Sequence, residues 1–183
     1  MADTETNKRK IKELLENGAL WKLGKGEKPL AYVARICEDI QKTGGHEALS
    51  HSCFGLMLNA LSALERKCSV TGAATEVVRL TAKWITSSGE RGYVPSNLTR
   101  LSGGLTGVRS HITVPEHFVI VNGAEACFRA SKKPARAMVC LLQYDQDPAF
   151  TVGIVKTILR GWAVGNRDQA ASFFLESTAK ATR

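Results

Sequence analysis

The sequence predicts a mostly α-helical fold: a compact multi-helix bundle with one small β-hairpin near residues 108–121. Over most of the 183 residues, apolar side chains recur with a period near 3.6, the spacing that places them on one face of a helix. Proline and glycine stand at many of the predicted helix ends, where they favour starts and stops. Residues 108–121 lose the helical period and gain β-branched residues, which predicts two short strands that turn at Pro115 and Glu116.

The chain begins with a polar arm, residues 1–10, that leads into a short charged helix at residues 8–16. Only Ile11, Leu14 and Leu15 form its apolar side. We therefore expect this helix to be peripheral. It is followed by a glycine-rich, basic connector that ends at Pro29.

Three further helices are predicted in the first half of the chain. The first starts at Pro29 and stops at the Gly44-Gly45 pair. The helix at residues 46–67 has only a narrow polar edge, so we expect it to be the central core helix. The third occupies residues 72–87.

In the second half, Asn122 and Gly123 are expected to close the hairpin. Helices are predicted at residues 124–130, 134–144 and 148–164. Asn166 is a suitable N-cap for a last helix. That helix carries three consecutive apolar residues: Phe173, Phe174 and Leu175.

The length and the 44% apolar composition fit one domain. The alternative is two helical lobes, at residues 8–92 and 123–183, joined by the loop and hairpin segment 93–122. No internal repeat is present. No apolar run approaches the roughly 20 residues that cross a bilayer, and no apolar core of a signal peptide follows the N-terminus. We expect a cytoplasmic protein, or a virion component if the chain is viral, with no transmembrane segment.

Positive charge is concentrated in the middle of the chain. The formal net charge is +8, and residues 79–136 supply +6 of it through nine Lys or Arg against three acids. One-sided charge of this kind indicates a polyanionic partner, either nucleic acid or an anionic membrane surface. The densest part is 129–136, where Pro134 is placed to start a helix, and helix N-termini favour anions.

We predict that cations from separate helices line one groove and contact nucleic-acid phosphates, with RNA favoured over DNA. Trp84, Tyr93 and Phe128 lie among them, but core packing is the favoured interpretation of these aromatic residues. The predicted binding residues are Arg79, Lys83, Arg100, Arg109, Arg129, Lys132, Lys133, Arg136, Lys156 and Arg160.

Two stretches of the sequence resemble enzymatic motifs but lack features that those motifs require. The stretch 18–26 resembles a phosphate-binding loop, but five residues separate its first two glycines where four are needed, and Gly26 replaces the Ser or Thr that binds Mg²⁺. His46 and His51 are five residues apart, about 140° around a helix, so they do not share one metal as an i, i+4 pair does. No metal site and no cofactor are predicted.

The five cysteines are widely spaced, lack C-x-x-C pairs and lie mostly among apolar neighbours, which predicts buried, inert thiols. A nucleophilic cysteine needs a histidine base. The local candidates are His51 with Cys53, and His111 or His117 with Cys127. None has a recognisable nucleophile motif.

Taken together, these patterns favour a non-enzymatic, self-associating protein that coats RNA, of the viral nucleocapsid or coat type, with no catalytic residues. The first alternative is a peripheral matrix or adaptor protein whose basic face meets anionic lipid. The second is a small enzyme that uses a cysteine and a histidine.

Overall fold

The computed structural model describes residues 4–17, 21–67, 71–86, 115–128, 148–165 and 169–181. These segments are helical apart from the connector at 21–28 and single residues at helix ends, and no strand occurs in them. The mostly α class is therefore confirmed. The six helices are α1 (Thr4–Glu16), α2 (Pro29–Lys67), α3 (Gly72–Thr86), α4 (Pro115–Phe128), α5 (Pro148–Val164) and α6 (Gln169–Ala181).

Helix α2 consists of two helical halves that meet at a kink. Gly45 has φ 69° and ψ −169°. Residues other than glycine rarely adopt a positive φ of this size. The neighbouring Gly44 lets α1 approach, because a Cβ there would lie 2.7 Å from Cγ1 of Ile11. The predicted stop at this glycine pair, with a new helix after it, is thus confirmed as a change of direction within α2.

The second half of α2 is the centre of the core, as predicted. Leu49, Phe54, Met57 and Leu64 are fully or almost fully buried. Helices α1, α3, α4 and α5 all pack against α2. Helix α6 packs against α3, and α1 also packs against α5.

The predicted hairpin is wrong where the structure describes it, because Pro115 begins α4 and residues 115–121 are helical. Val119, Ile120 and Val121 are buried, so tertiary packing outweighs their preference for strands. Because α4 is apolar on almost all sides, its apolar residues do not recur with a clear helical period. Residues 108–114 lie outside the described segments.

The predicted closing turn at Asn122 and Gly123 also lies within α4. The Asn122 side chain donates to the Phe118 carbonyl at 2.8 Å, one helical turn back. Gly123 faces Met57 so closely that a Cβ would lie 2.5 Å from its Cγ. This glycine permits close packing of α4 on α2 rather than a turn, and the helix predicted to start at residue 124 starts instead at Pro115.

Helix α1 is not peripheral. Ile11 is fully buried, and Lys8 is only 5% exposed. The ammonium group of Lys8 donates to the Gly165 carbonyl at 2.6 Å and lies 6.0 Å from the centre of the Trp162 ring. A lysine thus caps the C-terminal end of α5, where the helix dipole favours positive charge.

The last two helices follow the prediction closely. Helix α5 has the predicted bounds, and α6 covers most of the predicted last helix. Ala171 is fully buried, and the Phe174 ring meets Phe54 edge-on, with 6.4 Å between ring centres. The helix predicted at 134–144 and the Asn166 cap lie outside the described segments.

Candidate nucleic-acid interface

The structure describes four of the ten predicted phosphate-binding residues: Arg79, Lys83, Lys156 and Arg160. The other six lie outside the described segments. They are Arg100, Arg109, Arg129, Lys132, Lys133 and Arg136.

On α3, one of the two predicted cations forms a salt bridge and the other, among the described residues, does not. The Arg79 guanidinium forms a salt bridge with Glu76 through two nitrogens, with Nε 2.6 Å from one carboxylate oxygen. The hydrogen bond from Arg79 is the main cause that lowers the pKa of Glu76. Lys83 is exposed and forms no salt bridge within the described segments. Of this pair, Lys83 is the residue best able to meet a phosphate.

On α5, Lys156 and Arg160 are one helical turn apart and are the only charged residues of the helix. Arg160 is exposed. The Nζ of Lys156 lies 5.8 Å from the centre of the Trp21 ring, so the connector before α2 packs against α5 at this point. An uninterrupted cationic ridge results, since no carboxylate on α5 opposes it.

Helices α3 and α5 have different main neighbours. Helix α3 packs against α2, α4 and α6, whereas α5 packs against α1 and α2. The convergence of both cation pairs on one groove therefore stays a prediction.

The connector adds three cations that the sequence-based interface omitted. Lys22, Lys25 and Lys28 are exposed and make no salt bridge within the described segments. Their signal was visible in the sequence as three lysines in seven residues. We name these three residues, together with Lys156 and Arg160, the connector–α5 surface.

The single acid of the connector does not neutralise this surface, because it is paired with α2. The Glu27 carboxylate accepts hydrogen bonds from Nε and Nη2 of Arg35 at 3.0 and 2.9 Å. These bonds are the main cause that lowers the pKa of Glu27. Arg35 also donates to the Lys22 carbonyl at 2.9 Å, which ties the start of the connector to α2.

The same carboxylate also accepts a hydrogen bond from the backbone of the glycine-rich stretch. The Gly24 N–H donates to Oε2 of Glu27 at 2.8 Å. A phosphate-binding loop must offer such backbone donors to its ligand. Here the chain's own carboxylate occupies the Gly24 donor.

The two histidines of the near-miss zinc motif have separate surroundings. Nε2 of His46 lies 3.0 Å from the Cys127 carbonyl and 2.9 Å from Oγ of Ser50. The His51 ring packs against Trp162, with 5.8 Å between ring centres. Within the described ranges, no group of three His, Cys, Asp or Glu side chains is arranged to hold a metal ion.

The described cysteines are poor nucleophiles. Cys37, Cys53 and Cys127 are buried and unbridged. Burial raises the pKa of both Cys37 and Cys127 to about 12, and it raises the pKa of Cys53 well above its usual range. Neutral thiols therefore predominate at physiological pH, and the thiolate that nucleophilic catalysis requires is suppressed. Cys68, Cys140 and His111 lie outside the described segments.

Of the aromatic residues near the predicted cations, Trp84 is partly buried and meets the His46 ring edge-on, with 6.1 Å between ring centres. This contact agrees with the core interpretation. Tyr93 lies outside the described segments, and the side chain of Phe128 is not described.

No protein-family model, curated protein or solved structure matches this chain. In the part of the chain that the structure describes, no helix combines the length and the apolar character needed to cross a bilayer.

Proposed function

We propose that the chain is a non-enzymatic, self-associating protein that coats RNA by binding its phosphates, as viral nucleocapsid and coat proteins do. The observation that carries this proposal is the connector–α5 surface. Its five cations make no salt bridge within the described segments, in a chain of net charge +8. Unpaired surface cations release counterions when they meet phosphates, and this release drives binding that does not depend on base sequence.

The chemistry of this surface favours the nucleic-acid backbone over the bases. Lysine presents a compact charge, and Arg160 adds a fork that can hold two phosphate oxygens. Trp21 is the aromatic residue that Lys156 contacts, but it is only 4% exposed. We therefore expect little preference among base sequences.

Single-stranded RNA is the proposed polymer. A flexible strand can follow a surface built from one connector and one helix, whereas reading duplex DNA usually requires an element inserted into a groove. Six further predicted cations, outside the described segments, add to the positive charge of the chain.

The test begins with purification in low salt, with and without nuclease. We expect nucleic acid to accompany the untreated protein, to raise its ratio of absorbance at 260 nm to that at 280 nm, and to be removed by high salt. The nuclease-treated protein should then bind a labelled single-stranded RNA of mixed sequence.

Flotation with anionic liposomes separates this proposal from the peripheral-membrane alternative. We expect RNA to compete the nuclease-treated protein away from the liposomes. Stable flotation together with no measurable RNA binding would contradict RNA coating and would support the matrix or adaptor alternative.

A further inference from the structure

A cavity of about 490 Å³ opens between α2, α5 and α6. Its walls include Gly55 and Leu58 of α2, Gly161 and Trp162 of α5, and Phe173 of α6. This volume lies within the range of sites that hold ligands or partner side chains. The cavity is large enough to admit an aromatic side chain.

One large apolar side chain in the cavity wall faces solvent. Phe173 is 72% exposed. The next residue, Phe174, docks α6 by packing against Phe54. Phe174 thus packs α6 on the core, while the Phe173 ring stays exposed beside the cavity that it lines.

The two glycines in the cavity wall differ in the space around them. At Gly55, a Cβ would lie 2.7 Å from Cδ1 of Ile158, so internal packing explains this glycine. At Gly161, a Cβ would meet nothing within 4 Å. The cavity wall at Gly161 therefore has room for a larger side chain without a clash inside the described fold.

We propose that a second copy of this chain covers the cavity in a two-fold dimer, in which Phe173 of each copy fills the cavity of the other. This inference rests on the self-association within the proposed function. A two-fold interface must be complementary to itself. An exposed Phe173 ring next to a cavity meets this condition. A two-fold axis that passes between the ring and the cavity places the ring of each copy in the cavity of the other.

Charges beside the ring and the hole are complementary as well. Arg160 is exposed next to Gly161, and α5 carries no acid. Glu176 is exposed three residues after Phe173, on the same side of α6. When the ring enters the opposite cavity, Glu176 approaches Arg160 of the other copy, and symmetry forms this pair twice.

The test is sedimentation of nuclease-treated protein at low and at high salt. We expect a concentration-dependent dimer at both, because apolar burial is far less sensitive to salt than phosphate binding. Phe173→Ala removes the ring, and Gly161→Leu fills the hole. Each should weaken dimerisation about 30-fold or more, the effect of losing a central anchor residue.

Matched controls keep the result specific. Gly153→Leu makes the same change in the same helix, where a Cβ also meets nothing within 4 Å, but Gly153 does not line the cavity. Leu23→Ala removes another exposed apolar side chain away from it. Both controls should dimerise as the unaltered chain does, and circular dichroism should show all variants folded.

Three results would overturn the dimer. They are a monomer at every concentration, a dimer that Phe173→Ala and Gly161→Leu leave unchanged, and a monomer whose native mass includes a bound small apolar molecule. Association that disappears with nuclease would be bridging by RNA, which contradicts this interface but not RNA coating. Conversely, a dimer that fails to bind RNA would support the interface and overturn RNA coating.

Discussion

The Lys156 ammonium group lies 5.8 Å from the centre of the buried Trp21 ring, and this contact joins the 21–28 connector to α5. Two side chains of α2 also hold the connector in place. The Tyr32 hydroxyl donates to the Trp21 carbonyl at 2.6 Å, and Arg35 binds Glu27. The connector that carries Lys22, Lys25 and Lys28 is thereby held against α5 at Lys156.

Glu27→Gln should loosen the connector, because it removes the carboxylate that Arg35 and the Gly24 N–H share. We expect trypsin to cleave the folded variant after Lys22 and Lys25 several-fold faster than the unaltered chain. Glu38→Gln is the matched control, since the salt bridge of Glu38 within the described segments is a 4.0 Å contact with Lys42 on an exposed helix face. Equal cleavage rates in all three proteins would show that Glu27 does not order the connector.

Lys8→Met should lower the free energy of unfolding by about 1.5–3 kcal/mol, since it removes a charged donor from the Gly165 carbonyl while keeping most of the side-chain volume. Urea denaturation measures this change. Lys10→Met, on the exposed side of the same helix, should alter stability by less than about 0.5 kcal/mol. Similar losses in both variants would contradict a capping role for Lys8.

Stability should decline in alkaline solution because of the buried thiols. Burial raises the pKa of Cys37 and Cys127 to about 12 in the folded chain. The unfolded chain loses these protons near pH 8.5, so the folded state binds more protons above that pH. The free energy of unfolding therefore falls from about pH 8.5 upward, by up to about 1.4 kcal/mol per pH unit for each thiol.

Urea denaturation between pH 7 and 10.5 tests this decline. Cys127→Ala should make it shallower, and the three buried thiols should resist alkylation until the chain unfolds. Rapid alkylation of Cys37, Cys53 or Cys127 in the folded protein would contradict their burial and would revive the cysteine–histidine alternative.

The cluster at 129–136 gives a prediction from sequence alone. Replacing Lys132, Lys133 and Arg136 with Glu should weaken RNA binding for every sequence tested and reduce its dependence on salt, with the melting temperature nearly unchanged. Fluorescence anisotropy and thermal denaturation measure the two effects. Unaltered affinity would show that this cluster is not part of the interface.

Local signals in the sequence predicted the ends of several helices well. Pro29, Pro148 and the Gly44-Gly45 pair act within one or two turns, so their effects can be read without tertiary information. The hairpin prediction failed because Val119, Ile120 and Val121 are buried by α4 packing against the core. The prediction that α1 is peripheral failed for a related reason: the Gly165 carbonyl, which binds Lys8 of α1, is 157 residues away from it in sequence.

The candidate surface was predictable only in part. The concentration of positive charge and the Lys156 and Arg160 pair were visible in the sequence. The contribution of the connector depends on Trp21 meeting Lys156 and on Arg35 neutralising Glu27. Both are contacts between separate elements that no local pattern specifies.

The most direct measurement is the salt dependence of binding to a labelled single-stranded RNA, compared among three proteins. These are the unaltered chain, the Lys156→Ala/Arg160→Ala variant, and a control with equal loss of charge elsewhere, Lys42→Ala/Lys180→Ala. For single strands, each phosphate contact contributes about 0.7 to the slope of log affinity against log salt. If the connector–α5 surface binds phosphates, the first variant should have weaker affinity and a slope shallower by about 1.4, while the control keeps the slope of the unaltered chain. Identical slopes in all three proteins, or no binding by the unaltered chain at low salt, would contradict the account.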